Sequence, residues 1–390
     1  MPLPPPPLNE APGARAYRQL KAWIDEGVLK AGDYLLPEQE LSEKLEVART
    51  TIRSILSRLE KEGVVRLTGR KRTVLGQGPA QQKSMRHTVG LLAPIATQTT
   101  TNGRIRLPGW SDNIQLGAVG TLHEMGFNVL YLPPHDLHEA RLTQFLLDRP
   151  RGIIGFPQDV GGCPPLVPSA LLRTKTPGVF YGSHADPQLR PFHVVTSDHA
   201  HGQQQLANLL MDRGMHNILR CWQATMTSPG VLPDWLQQRD AGALRALNER
   251  GQRIIPSVLI PHSQKDIACE EDFHHEVRTY AGYLAEYVLH SQPVDAIMAV
   301  TDGMVPYIAA ALRLLGREPG RDILITGYDH YWADIRERRW EGYAPVASID
   351  KNNTSIGIEL ARVLNGIIDG GIPHDPVEHR ITPQLVTPRV

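Results

Sequence analysis

The chain has 390 residues, with 41 Lys and Arg against 41 Asp and Glu, so its formal charge at neutral pH is zero. That length exceeds what one ordinary core sustains and predicts two or more domains. Three cysteines, Cys163, Cys221 and Cys269, lack metal-ligand spacing and are odd in number. They exclude a disulfide framework and read as reduced thiols of a cytoplasmic protein. No run approaches about 18 apolar residues, which excludes a membrane-spanning helix. The opening "MPLPPPPLNEAPG" has no basic start and apolar run, so residues 1–12 read as a disordered proline-rich tail and not a secretory signal.

The charge is unevenly spread. From Arg15 to Arg72 there are thirteen Lys and Arg against nine Asp and Glu. A basic N-terminal module on a mildly acidic body points to an anionic partner at that end.

Residues 13–76 read as one domain. In "ARAYRQLKAWIDEG", Tyr17, Leu20 and Ile24 recur at helical spacing up to Gly27. "PEQELSEKLEV" starts at Pro37 and sets Leu41 and Leu45 four apart. "RTTIRSILSRLEKEG" puts Ile52, Ile55, Leu56 and Leu59 on one face and ends at Gly63. "VVRL" and "TVLG" then read as short strands joined by "TGRKR". The three-residue link "VAR" suits a helix-turn-helix. The third helix opens on Arg49, Thr50, Thr51 and Arg53, on the side away from its apolar stripe. A recognition helix inserts such residues into the major groove, where arginine reads guanine and threonine offers a hydroxyl and a methyl. Arg70, Lys71 and Arg72 at the hairpin tip would reach a flanking groove or backbone. The plainer reading is a solvated helix with a threonine cap and a basic turn.

These residues carry a resemblance. "GVLKAGDYL", "ELSEKLEVARTTIRSILSRLEKEGVV" and the basic hairpin resemble the GntR-type winged-helix DNA-binding domain over roughly the first fifth of the chain. By position the resemblance makes Arg49, Thr50, Thr51 and Arg53 the base- and phosphate-contacting set, and Gly69 and Arg70 the wing tip. Where the family has a Leu-Pro-Ser-Glu-Arg run, this chain has "LLPEQE", which puts Gln39 in place of a DNA-touching arginine. Glutamine can read adenine but loses a charged phosphate clamp. Glu46 stands at the turn glycine, and Lys71 or Arg72 replaces the wing's second glycine.

Residues 77–87 are polar and aperiodic, a linker. From 88 to 390 short apolar runs alternate with helical patterns. The strands read as "TVGLLA", "NVLYLP", "GIIGF", "GVFYG", "HVVTS", "NILRCW", "AIMAV" and "ILITGYD". "QLGAVGTLHEMG", "GQQQLANLLMDRG", "GMVPYIAAALRLLG" and "NTSIGIELARVLNGII" read as helices between them. Near-continuous apolar strands alternating with helices predict parallel sheets covered on both faces, here in two α/β lobes, with ligand in a cleft at the strand ends. The expected fold is thus multidomain: an α+β winged helix-turn-helix followed by a two-lobed α/β domain. At the strand ends stand Asp198 after "HVVTS", Thr301 and Asp302 after "AIMAV", and Asp329 after "ILITGY"; Arg239 opens the helix "RDAGALRAL". Isolated carboxylates with an arginine suit a polyhydroxylated ligand. Their other reading is as helix and turn caps.

"VVTSDHAHGQQQLANLLMDRGMHNI", "RDAGALRALNERG" and the stretch from "DAIMAV" to "ITGYDH" resemble the sensor domain of LacI/GalR-type regulators, itself similar to periplasmic sugar-binding proteins. By position this implies that Arg239 and Asp329 bind the effector and that Thr301 replaces a contacting asparagine. Gly182 stands where some members have a contacting aspartate, and Trp110 near a pocket aromatic. The loop 97–113 is longer than in the family.

The expectation is a sequence-specific DNA-binding transcriptional regulator, a repressor, cytoplasmic and homodimeric, holding operator DNA and releasing it when a sugar or sugar derivative closes the lobes. The alternatives are a non-sugar effector such as a nucleobase, a solute-binding protein, or an α/β enzyme. The chain has no G-x-G-x-x-G, Walker A, G-x-S-x-G or H-E-x-x-H run, so neither catalysis nor a cofactor or metal is expected.

Overall fold

Ala16, Leu20 and Ile24 lie on one stripe of the first helix, α1 (Pro12–Asp25), and all three are buried. The computed structural model describes residues 11–25, 28–30, 32–68, 71–75, 85–93, 110–133, 137–156, 164–224, 232–261, 267–373 and 375–387. They divide into two compact units: the chain up to Thr88 with Thr143–Arg151, and Val89–Leu142 with the chain from Gly152 onward.

In the first unit the α1 stripe meets α2 (Glu38–Lys44) and α3 (Arg49–Lys61) around one core of Leu41, Leu45, Ile52, Ile55, Leu56 and Leu59. Each fully buried leucine or isoleucine contributes about 1.5–3 kcal/mol, which is what holds so small a module together. The α2–α3 turn runs from Leu45 to Ala48, with Glu46 in the left-handed region at φ 54°. The Ser42 hydroxyl closes this turn by donating to the Val47 carbonyl at 2.6 Å. Strands β1 (Val65–Thr68) and β2 (Lys71–Val74) pair antiparallel, Val65 opposite Val74 and Thr68 opposite Lys71. Tyr34 bridges to Thr73, and Leu35 N–H donates to the Arg72 carbonyl, adding a third short ribbon. This is a winged helix. Lys71 and Arg72, expected at the hairpin tip, are strand residues; Gly69 and Arg70 lie outside the described residues.

The second unit is α/β throughout. Its first lobe is a six-stranded sheet in the order β13-β7-β6-β5-β3-β4. The strands are β3 (Thr88–Leu92), β4 (Asn128–Tyr131), β5 (Gly152–Gly155), β6 (Gly178–Tyr181), β7 (His193–Ser197) and β13 (Glu378–Ile381). The pairs from β3 through β5, β6 and β7 to β13 are parallel. Helix α4 (Trp110–Glu124) packs against α11 (Asn353–Ile368) over the sheet. Helices α5 (Glu139–Leu147), whose residues from Thr143 onward belong to the first unit, and α6 (Leu166–Thr174) lie between these strands in the chain. The second lobe is a four-stranded parallel sheet, β11-β10-β8-β9, of β8 (Ile218–Ala224), β9 (Val258–Pro261), β10 (Ala296–Ala299) and β11 (Leu324–Thr326). Helices α7 (His199–Asp212) and α8 (Asp234–Glu249) share one core with it, and α9 (Glu270–Val288) and α10 (Val305–Leu314) share another.

All eight strands read from the sequence are present. Strand β9 went unread because its burial alternates (Val258 and Ile260 buried, Leu259 exposed), and β12 (Ser348–Asp350) and β14 (Gln384–Val386) because three residues carry no periodicity. Arg239 does not open its helix. α8 begins at Asp234, so Arg239 sits in the second turn and on its buried face.

Three passages of chain join the lobes: Ser197 into Asp198, Lys351 into Asn352, and Ile381 through Pro383. Strand β12 pairs with β14 beside α7. Asp198 N–H donates to the Ile381 carbonyl (2.9 Å) and Asp329 N–H to Ile349 (2.8 Å), which binds the passages together. Residues lining this hinge therefore come from distant parts of the chain.

Candidate DNA-binding face and hinge pocket

At the start of α3, Arg49 and Thr50 are exposed. Thr51 is half-buried, and its methyl lies 3.0 Å from where a Cβ on Gly13 would be, so it faces α1 and not the open side. Arg53 is exposed, with its Nε donating to Glu38 at 2.8 Å. Gln39 is exposed and donates to Glu43 at 3.4 Å. Lys71 is exposed, its ammonium 5.1 Å from the Tyr34 ring centre. Arg72 departs from expectation. It is only 23% exposed and pairs with Glu60 (2.7 Å) and Glu38 (3.2 Å), which ties β2 back to α3 and α2. Hydrogen bonding from Arg53, then the charges of Arg53 and Arg72, holds the Glu38 carboxyl below its ordinary range. Tyr34 was missed in the sequence; it is 57% exposed beside Lys71.

The second cluster lies where the lobes join. Arg239 is 2% exposed; it donates to the Val300 carbonyl at 2.5 Å and to Asp329 Oδ1 at 3.2 Å. Its guanidinium lies 3.5 Å from the Tyr328 ring centre and 4.8 Å from that of Trp235, a cation–π stack that limits its rotation. Lys351 Nζ reaches the same Asp329 oxygen at 3.0 Å. Burial opposes the Asp329 charge, but Lys351 and then Arg239 overcome it and hold the carboxyl below its usual range. Asp329 and His330 both adopt positive φ, 84° and 50°, which turns the chain sharply at the end of β11. Burial, then Arg239 and Lys351, pushes the His199 pKa well down, so this imidazole is neutral.

Asp302 also stands near the hinge but does not face the pocket. It is fully buried, and accepts from Ser348 Oγ (2.7 Å), Tyr331 N–H (2.9 Å) and Trp332 N–H (3.1 Å). It clamps the 331–332 turn to β12. Asp198 caps α7 by accepting the His201 N–H at 3.0 Å, the cap reading weighed from sequence. Thr301 Oγ1 accepts from the Tyr331 hydroxyl at 3.2 Å. At Gly182, φ is 150° and a Cβ would meet Leu189 at 3.0 Å, so a side chain there would press on the lobe core. Trp110 is the first residue of α4; its side chain lies outside the described residues.

Beside Asp329 opens a polar pocket of about 190 Å³, lined by Asn113, Asp329, His330, Asp350, Asn352, Asn353 and Thr354. Only Asp329 among these was picked out in the sequence. The others come from the first turns of α4 and α11, the end of β12 and the hinge, and nothing in their local pattern marks them as sharing one pocket. Among the described residues, no group of three or more His, Cys, Asp or Glu could hold a metal ion, and no helix is long and apolar enough to cross a membrane.

The chain is thus of a two-part class: a winged helix on the same chain as a two-lobed α/β unit with a charged hinge. Comparison with known proteins finds a family match for the first unit and similar folds over most of the chain. Residues 12–75 match the family model described as "Bacterial regulatory proteins, gntR family". The fold is similar to that of a transcriptional regulator CelR–cellobiose complex at 19% identity, over 87% of this chain and 90% of that one (TM-score 0.55). It is similar to a LacI family transcriptional regulator from Enterococcus faecium with bound ribose at 17% identity, over 77% and 97% (0.52). A periplasmic binding protein/LacI transcriptional regulator from Alkaliphilus metalliredigens complexed with D-xylulofuranose is similar at 16%, over 77% and 97% (0.51). No curated protein sequence matches the chain. The chain thus carries a winged helix that matches the gntR family model and an α/β unit with the LacI-type fold.

Proposed function

We propose that the protein is a DNA-binding transcriptional regulator, a repressor, whose hold on its operator is set by a small polyhydroxylated ligand in the hinge pocket. The observation that carries this reading is the gntR-family domain at residues 12–75 on the same chain as a hinge where Arg239, Asp329 and Lys351 meet. Domain limits of 13–76, 77–87 and 88–390 go with it. Arg49, Thr50, Arg53, Gln39 and Lys71, with Gly69 and Arg70 of the wing, contact DNA. Asp329, oriented by Arg239, contacts the ligand, and Thr301 and Trp110 complete the proposed ligand set. Asp302 and Asp198 are left out because their carboxylates are engaged within the protein.

The sugar assignment is supported by the cellobiose, ribose and xylulofuranose named for the three similar structures. The regulator works in the cytoplasm as a homodimer and performs no catalysis. Leu116 of α4 (61% exposed), Met125 just beyond it, and Leu130 and Tyr131 of the edge strand β4 are exposed apolar side chains that a second copy could cover. Ligand that closes the lobes shifts operator affinity by its differential affinity for the open and closed shapes.

The test is a thermal-shift screen of the full chain against sugars, sugar phosphates, nucleobases and amino acids, followed by DNA retention with each hit. A ligand at about one hundred times its Kd adds about 2.7 kcal/mol to the unit it binds. A sugar that raises the melting temperature and releases DNA is expected. Hits confined to nucleobases would replace the carbohydrate assignment; no DNA retention under any condition would overturn the regulator.

A further inference from the structure

The hinge pocket holds more hydrogen-bond acceptors than its neighbours use. Asn353, at the first turn of α11, is only 7% exposed, and its Oδ1 is buried with no hydrogen-bond partner. It lines the pocket with Asp329 and Asp350. Both cations bound to Asp329 come to its Oδ1. Asp350, which lines the pocket, accepts the Asn352 N–H at its Oδ1 (2.7 Å). Asn352 Oδ1 accepts from the Ser355 hydroxyl at 2.7 Å, so its amide turns its NH₂ outward.

A buried carbonyl oxygen without a donor is costly, and a ligand that donates to it recovers that cost. The same pocket is lined by two carboxylates and by no Lys or Arg. Neither Arg239 nor Lys351 is among its lining residues, and each is turned inward to Asp329. An anion bound there would sit against two lining carboxylates, with Arg239 and Lys351 already committed to Asp329. The positive end of α11 offsets this only in part, because a helix end carries about half a charge.

Resting on the proposed regulator reading, we propose that Asn353 reads the ligand and that the acceptor surplus it forms with Asp329 and Asp350 selects an uncharged polyol over its phosphorylated or carboxylated counterpart. Hydroxyls donate to Asn353 Oδ1 and to the carboxylate oxygens, and accept from the amide NH₂ groups.

The test is calorimetry on the full-length protein with matched sets: ribose, glucose and galactose, each with its phosphate, its aldonic acid and its 2-amino or 1-amino form. At least one neutral sugar should bind, with its phosphate and acid weaker by about tenfold or more. Asn353→Ala should lose about tenfold for that sugar while DNA retention and melting stay near wild type. Asn353→Asp, which keeps the acceptor and adds a negative charge, should shift the amine-to-neutral preference toward the amine by about tenfold. If Asn353→Ala fails to fold, the aspartate variant decides alone, and an unchanged preference overturns the proposal. Tighter binding of phosphate or acid, or an unaffected Asn353→Ala, overturns it and leaves the regulator standing. Binding of no member of any set removes the carbohydrate reading and this proposal together.

Discussion

Asp302 shows how one residue answers to its surroundings and not to its type. Placed at a strand end it resembled a ligand contact, yet it is fully buried and holds two backbone N–H groups and a hydroxyl. Burial, joined by the nearby Asp329 charge, pushes its pKa up to about 7 against those three donors. An unfolded aspartate titrates near ~3.9. Between these values the native state keeps a proton that the unfolded state has lost, so stability is greatest below the lower pKa and declines as pH rises toward 7. Asp302→Asn cannot titrate and can still bridge the same groups. Urea melts from about pH 4.5 to 8 should show wild type losing on the order of 2–4 kcal/mol from this group, and the variant losing that slope. Parallel slopes would mean Asp302 stays ionised throughout. Arg239 makes the complementary case. Stacked on Tyr328 and bonded to Val300 and Asp329, it cannot be reassigned without disturbing the pocket. Arg239→Ala should leave DNA retention intact and abolish its response to ligand; a preserved response would remove Arg239 from the ligand machinery.

At the scale of elements, glycines set how closely helices approach. A Cβ on Gly357 of α11 would lie 2.0 Å from the Ile114 carbonyl of α4, and one on Gly117 would lie 2.3 Å from that of Thr354. The atoms in the way are backbone, which cannot swing aside as a side chain would. Gly357→Ala should therefore cost about 1–3 kcal/mol, read as a lower denaturant midpoint with DNA contacts unchanged. In the winged helix, Arg72 and Arg49 carry the same charge in opposite situations. Arg72 joins β2 to Glu38 and Glu60, whereas Arg49 is exposed at the open end of α3. Arg49→Ala should weaken operator binding and reduce the slope of log affinity against log salt by about one. Arg72→Ala should leave that slope unchanged and destabilise the module by about 1 kcal/mol. Equal loss of slope in both variants would show that Arg72 leaves its carboxylates to meet a phosphate.

At the scale of the whole chain, the proposed regulator would pass ligand binding to DNA only through geometry. Two recognition helices reading successive major grooves of one face must sit about 34 Å apart, so a modest change in their separation is costly. Coupling of this kind is typically worth about 1–3 kcal/mol. A retention assay with and without the ligand found in the screen should show a change of about 5- to 150-fold in operator affinity.

What the sequence determined by itself was local. The apolar stripe of α3, the eight near-continuous strands and the length of α11 each follow from periodicity and breakers, which act over a few residues. The winged helix was legible for the same reason: its elements are consecutive and its core is made of neighbours. The tertiary structure decided which polar groups face the hinge pocket. Asp302 and Asp329 both end a strand, but one is sealed beneath Ser348 and the other opens to a pocket. Arg239, Lys351 and Asn353 lie far apart in the chain and meet only because three passages cross between the lobes. A pattern that decays within one turn of helix or one strand carries no record of such a meeting; only packing creates it.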